Sequence, residues 1–329
     1  MLPTDRSRRR GWVLAIAFGL AVLAGRASAA EPRAHDAFAA ELDATWDYAR
    51  PAVSEARFRE SFGAWSIDTA QGLEMLTQVA RAQGLQGRYE AAHATLDQVE
   101  ARLAATPSHV RVRYLLERGR VFNSSGQPHL AAPLFRLGLE LAECADDAFY
   151  AVDAAHMLGI AAPAAERLDW NLTALALAKV ADDARARRWL APVYNNIAWS
   201  YLDAGDAPRA LAFFRKALPA WEARGDSDSI HAGRWALARA LRATGQAAQA
   251  EKMQRALLAE HTRAGTEDGY VFEELAELAL ARGDQTQAHA WFARAWRRLR
   301  DDPALAPTPE RLQRMAALGG IDVAKDARR

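Results

Sequence analysis

The sequence predicts an all-α fold: a solenoid of about six stacked helical hairpins with capping helices at both ends. Three observations predict it. First, Gly87, Gly126, Gly205, Gly245 and Gly283 recur every 38 to 40 residues once the double interval between 126 and 205 is halved at Glu166. Second, apolar residues on both sides of each glycine fall three and four apart, the signature of two amphipathic helices folded onto each other. Third, three slots repeat around each turn. Ala80, Gly119, Gly159, Ala198, Ala238 and Ala276 stand seven places before it, and Ala92, Ala131, Asn171, Ala210, Ala250 and Ala288 five places after it. Leu96, Phe135, Leu175, Phe214, Gln254 and Phe292 stand nine places after it. Small residues let two helices approach and the larger one fills the gap between them. A hairpin of this kind cannot bury its own apolar face, so a fixed period of this length means stacked units.

Taken in order, the chain opens on an address. Arg6 to Arg10 are basic, Trp12 to Ala24 apolar, and Ala27-Ser28-Ala29 small, the layout of a secretory signal peptide over residues 1–29. The apolar run falls short of the ~20 residues of a membrane span, although an uncleaved anchor is the alternative. Ser7-Arg8-Arg9 matches part of a twin-arginine pattern, but the strongly apolar run favours the general route, and no Cys follows it to carry a lipid. The expected location is periplasmic or secreted. Residues 30–66 read as a capping pair of helices, broken at Pro51, with Trp46 and Trp65 over the first repeat. The repeats occupy 67–302. In four units a breaker (Pro107, Gly225, Gly265, Pro303) lies 20 residues after the turn glycine, so the second helices are long. Thr308-Pro309 starts a closing helix, within a cap of 303–320, and 321–329 is a charged tail.

The stretch from Tyr194 to Leu218 is the most regular hairpin: Tyr194, Ile197 and Tyr201, then a turn at Gly205-Asp206, then Ala210, Phe214 and Ala217. It resembles the tetratricopeptide repeat, whose signature runs Trp-x2-Leu-Gly-x2-Tyr and then Ala-x3-Phe. The period here is about five residues longer than that family's 34, and its closing proline is missing. Longer relatives, in kinesin light chains and bacterial peptide-sensing regulators, show such lengthening; HEAT-type pairs have a similar period and remain the alternative. The resemblance implies a right-handed solenoid that binds extended peptides or partner helices on its concave face. It places on that face Arg81, Arg113, Glu117, Arg120, Asn123, His156, Asn195, Asn196, Trp199, Leu202, Trp235, Arg239, Arg242, Tyr270, Glu273 and Glu277.

Half the residues are apolar and a quarter charged, so the chain is not of disordered composition. It holds 4 Lys and 38 Arg, a bias of codon usage rather than of electrostatic design. The net charge is +1; five Arg against Asp5 place four positive charges in residues 1–29 and leave −3 on the remainder. Nothing in that balance calls for nucleic acid or an anionic membrane. The eight His are scattered, without metal spacing, and no Gly-x-Ser-x-Gly, phosphate loop or dinucleotide fingerprint is present, so no cofactor, metal or catalytic residue is expected. Asp146, Asp147, Asp182 and Asp183 read as helix caps and solvated loops. Cys144, the single cysteine, reads as a buried small hydrophobe, and His156 as a core histidine.

Within the concave set, Arg81, Arg113 and Arg120 with Asn123 and Asn195 form a cationic, amide-rich strip suited to a carboxylate or a peptide backbone. Trp199 and Trp235 are an aromatic floor, or else inter-repeat packing. Glu273, Glu274 and Glu277 make the far end acidic and give a bound segment a direction. The function expected is a protein- or peptide-binding scaffold of the cell envelope. The alternatives are an envelope enzyme, marked by buried close-set carboxylates or histidines, and self-assembly into a homodimer through Trp46 or an exposed end near Trp296.

Overall fold

The computed structural model describes residues 31–63, 65–306 and 308–323. The expected signal segment and most of the charged tail, 324–329, lie outside the described residues. Within them the chain is α-helix joined by tight turns, with two short 3-10 segments and no strand. It divides into two compact units, residues 1–45 and 46–329. The first holds α1 (Glu31–Thr45), whose buried side chains include Phe38, Ala39 and Leu42. The second begins with α2 (Pro51–Phe62), where Pro51 sits in the first helical turn and costs no internal hydrogen bond. The two helices expected as one cap therefore fall in different units. Trp46 Nε1 donates to Gln78 Oε1 (2.9 Å) and its ring stacks on Tyr48, whereas Trp65 is 37% exposed.

Six hairpins follow. They are α3 (Ala70–Leu85) with α4 (Tyr89–Glu100), α5 (Ser108–Ser124) with α6 (Pro128–Cys144), and α7 (Ala148–Ala161) with α8 (Ala164–Val180). After the one-turn helix α9 (Ala184–Arg187) come α10 (Leu190–Asp203) with α11 (Ala207–Glu222), α12 (Ser227–Ala243) with α13 (Ala247–Arg263), and α14 (Gly269–Ala281) with α15 (Gln285–Leu299). The turn at Gly205 explains the glycine series. Its φ of 80° is left-handed, Asp206 N donates to Tyr201 O (2.8 Å), and the Asp206 carboxylate accepts from Arg209 N (3.0 Å) to cap α11. Gly87, Gly126, Gly245 and Gly283 take φ from 72° to 83°.

The third hairpin departs from the expected register. It turns at Ala162-Pro163, not at Glu166, which lies in the first turn of α8 and pairs with Arg136 (2.7 Å). Proline after an extended Ala162 stops α7 without glycine. The packing slots are unaffected. All eighteen slot residues are buried, and in the third hairpin a Cβ on Gly159 would lie 2.5 Å from the Asn171 amide. A Cβ on Gly119 would lie 2.4 Å from the Phe135 ring. The residue 20 places after Gly126 is Asp146, at φ 55°, so the second unit has the same breaker geometry without glycine or proline.

Among the first helices α3 packs on α5, α5 on α7 and α12 on α14, and we call the face these first helices share the inner face. The far end is closed by α16 (Pro309–Leu318), whose Met315 and Ala316 share a core with Phe292, Leu299 and Trp296. Trp296 is thus inside the end core rather than on an exposed end: it is 6% accessible. Cys144 is exposed, not buried, because it is the last residue of α6 and follows Ala142, the inward position of that turn. Asp147 and Asp183 cap α7 and α9, as helix-start acids do.

Candidate functional site

The inner face carries two kinds of surface. On α3, α5 and α7 it is closed. Arg81 donates to Glu117 (3.1 Å), Arg120 donates to the same carboxylate oxygen (2.8 Å) and also to Asp153, and Arg113 lies 3.5 Å from Glu74 while donating to the Tyr150 hydroxyl (2.6 Å). Glu74, Arg113, Glu117, Asp153 and His156 are all buried. Three arginines meet three carboxylates, so the strip expected to be cationic is electrically balanced and its guanidinium groups are committed within the chain. Burial works against the charge of Arg113, but Tyr150 and Glu74 more than offset it and hold its pKa above the usual value. Burial likewise pushes the Tyr150 phenol up, against the pull of Arg113. His156 lies tilted against Trp189 (ring centroids 4.9 Å apart), and burial takes it down to about 4, so it is a neutral core histidine. Asn123 ends this surface, half-exposed in the last turn of α5, and Asn196 on α10 reaches His156 Nδ1 at 3.4 Å.

On α10, α12 and α14 the face is more open. The Trp199 and Trp235 rings lie 5.7 Å apart at 33°, and Trp235 meets Tyr270 edge-on at 5.4 Å. Trp235 Nε1 donates to Tyr270 O (3.0 Å), and Phe214 supports Trp199 from the packing slot (5.3 Å). Trp199, Trp235 and Tyr270 are half-buried, packed on one another and partly accessible to solvent. The packing reading of the two tryptophans therefore holds. Tyr270 donates to Asp302 (3.0 Å), and burial, reinforced by that carboxylate, pushes its hydroxyl up to about 12. Arg239 rests over both tryptophans, 5.7 and 5.8 Å from the ring centroids. Asn195 stands one turn before Trp199 on the same face.

The acidic end is neutralised as the cationic strip is. Glu273 takes Arg311 (2.7 Å), Glu274 takes Arg242 with both oxygens (2.8 and 3.0 Å), and Glu277 takes Arg314. The direction expected from a charge gradient loses its basis. Arg311, Arg314, Tyr150 and Asp153 were not anticipated as partners in these pairs. Their signal was present in the sequence: each pair joins residues 32 to 38 apart, about one period.

The buried acids of α3, α5 and α7 with His156 are the feature an enzyme reading asks for, but each acid is matched by an arginine. Among the described residues no group of three His, Cys, Asp or Glu is placed to hold a metal ion. No helix among them is long and apolar enough to cross a membrane.

The tetratricopeptide repeat family model matches residues 191–218, the α10–α11 hairpin. That hairpin is a tetratricopeptide repeat within an all-α solenoid. No curated protein matches the chain. Among solved structures, the chain is similar to the apo form of RapI (9% identity, 90% of this chain and 83% of that one, TM-score 0.62). It is also similar to BtubC (BKLC) of P. vanneervenii (16%, 69% and 93%, TM-score 0.53). A third likeness is to a signal transduction ATPase with a tetratricopeptide repeat sensor from Pyrococcus horikoshii (14%, TM-score 0.59), where 80% of this chain is covered but only 41% of that one. At these identities the likeness is one of fold.

Proposed function

We propose that this chain is a protein-binding scaffold of the cell envelope, without catalysis of its own, holding an extended peptide or a partner helix on the inner face of α10, α12 and α14. The observation that carries the reading is the run of half-buried rings Trp199, Trp235 and Tyr270, which offers aromatic area and polar edges on rigid helices. Aromatic anchors of this kind supply contact area at a small cost in side-chain entropy. The closed half, α3 to α7, acts as the frame. The envelope address rests on the basic, apolar and small-residue succession of residues 6–29.

The test is capture from envelope extract by the wild type and by Trp199→Ala, Trp235→Ala and the double variant, each checked for an intact helical melt. A specific partner retained by the wild type is expected to fall about tenfold or more in the double variant, since anchor residues contribute ≥ ~2 kcal/mol each. Unchanged capture removes the groove from consideration.

A further inference from the structure

Arg239 is set apart from the other arginines of the inner face. Arg81, Arg113, Arg120, Arg242 and Arg311 each donate to an acceptor within the chain. Among the described residues, nothing accepts a hydrogen bond from Arg239. Its nearest carboxylate oxygen, on Glu274, is 3.9 Å from Nε, and both oxygens of that group are already held by Arg242 at 2.8 and 3.0 Å. What fixes Arg239 is aromatic: the guanidinium carbon stands 5.7 Å from the Trp199 ring and 5.8 Å from the Trp235 ring, and the side chain is 30% exposed. Rings hold a guanidinium through its flat faces and leave its N–H edge unsatisfied. A cation immobilised in this way has already lost most of its rotamer freedom, so a carboxylate that reaches it gains a charge-assisted fork at little ordering cost. The surroundings also fit a segment that passes through rather than ends. The face continues from Arg239 toward Asn195 on α10, whose amide makes no hydrogen bond among the described residues, and toward Tyr270 on α14.

Resting on the groove reading above, we propose that Arg239 recognises the carboxylate of an internal Asp or Glu side chain in the bound segment, with a neighbouring apolar residue of that segment on Trp199. The specificity would then come from a cation on an aromatic seat whose N–H edge has no acceptor among the described residues, while the paired arginines of α3 and α5 stay with their own carboxylates.

The test uses the full chain and a random dodecapeptide library on beads, N-acetylated and C-amidated so that carboxylates come only from side chains. Wild type is expected to enrich Asp or Glu at one position. Arg239→Gln, which keeps a polar side chain of similar reach, should lose that preference and bind the selected peptides about tenfold more weakly or worse. Arg239→Glu should shift the preference toward Lys or Arg. Helical melts accompany each variant, and Arg239→Gln decides if the reversed charge disturbs the fold. Peptides selected without acid preference, or held equally by Arg239→Gln, overturn the role of Arg239 while the groove stands, provided their binding falls in Trp199→Ala. Selection only from a matched library with free C-termini shows a terminal carboxylate and overturns the internal one. No selected peptide sensitive to Trp199→Ala brings down the groove reading and this proposal with it.

Discussion

His156 shows what a single buried side chain does to the pH response. Burial is the main cause of its low pKa of about 4; Asp153 opposes the shift and Arg120 adds to it. The unfolded histidine titrates near ~6.5, so between that value and about 4 the unfolded chain holds a proton the folded chain refuses. Stability therefore falls as pH falls through this window, by about 3 kcal/mol from this residue. Denaturant midpoints at pH 7 and pH 4.5 should separate in the wild type and draw together in His156→Gln. Equal separation in both would assign the acid sensitivity elsewhere. Asp226, held low by its Ser229 hydrogen bond, loses its contribution only as pH falls through its ordinary value of 3.8, below this window. At the same scale, Gly159→Ala meets the Asn171 amide at 2.5 Å and should cost about 1–3 kcal/mol, more than the ~1 kcal/mol that alanine gains in helix propensity. The pair Gly159→Ala with Asn171→Ala recreates the Ala–Ala contact of four other hairpins, and a double-mutant cycle by chemical denaturation should show recovery toward wild type. Additive losses would mean the two side chains do not share the space.

The hairpin turn is the unit at the next scale. At Gly205, where φ is 80° and nothing lies within 4 Å of an added Cβ, alanine should lower stability by about 1–2 kcal/mol through backbone strain alone. Asp146 holds the same left-handed geometry at φ 55°, so Asp146→Gly should move the melting temperature the other way. Calorimetry on the two variants checks the opposite signs. These turns also show what could be read beforehand. Five hairpins were legible because each turns on a glycine and keeps its small and large slots in step. The third was misplaced by four residues because halving the interval assumed a glycine-type turn, whereas Pro163 closes that corner. Its slot residues were still found correctly, since Gly159 and Asn171 must meet wherever the chain turns. Cys144 was misread because apolar neighbours in sequence say nothing about which side of a helix end a residue occupies.

For the whole solenoid, each hairpin depends on its neighbours, and its ends depend on caps. Removing residues 303–329 would uncover Phe292, Leu299 and Trp296 and leave Glu273 without Arg311. Hydrogen exchange should then rise first in α14 and α15 and spread no further than the adjoining repeat at moderate denaturant, while uniform loss across the array would indicate a single cooperative block. At this scale the inner-face residues were placed on the right helices by the repeat register, but their state was not. Whether an arginine is available or committed depends on a carboxylate one period away, and only the stacking distance between helices decides which pairs close. That Arg239 makes no hydrogen bond to Glu274 follows from the same rule, because both oxygens of Glu274 are held by Arg242.

The inner-face ion pairs have a consequence for how such a chain can change by duplication or excision. The apolar slots are nearly the same in every hairpin, so by shape one unit could stand in for another. The charges are different: Arg81 needs Glu117, Arg120 needs Asp153 and Arg242 needs Glu274, each on the following hairpin. Cutting out α5 and α6 would join two surfaces that fit sterically but leave Arg81 without Glu117 and Asp153 without Arg120. Order along the array is therefore written in its half-bonds, and a copied or deleted hairpin would be accepted by packing and refused by charge.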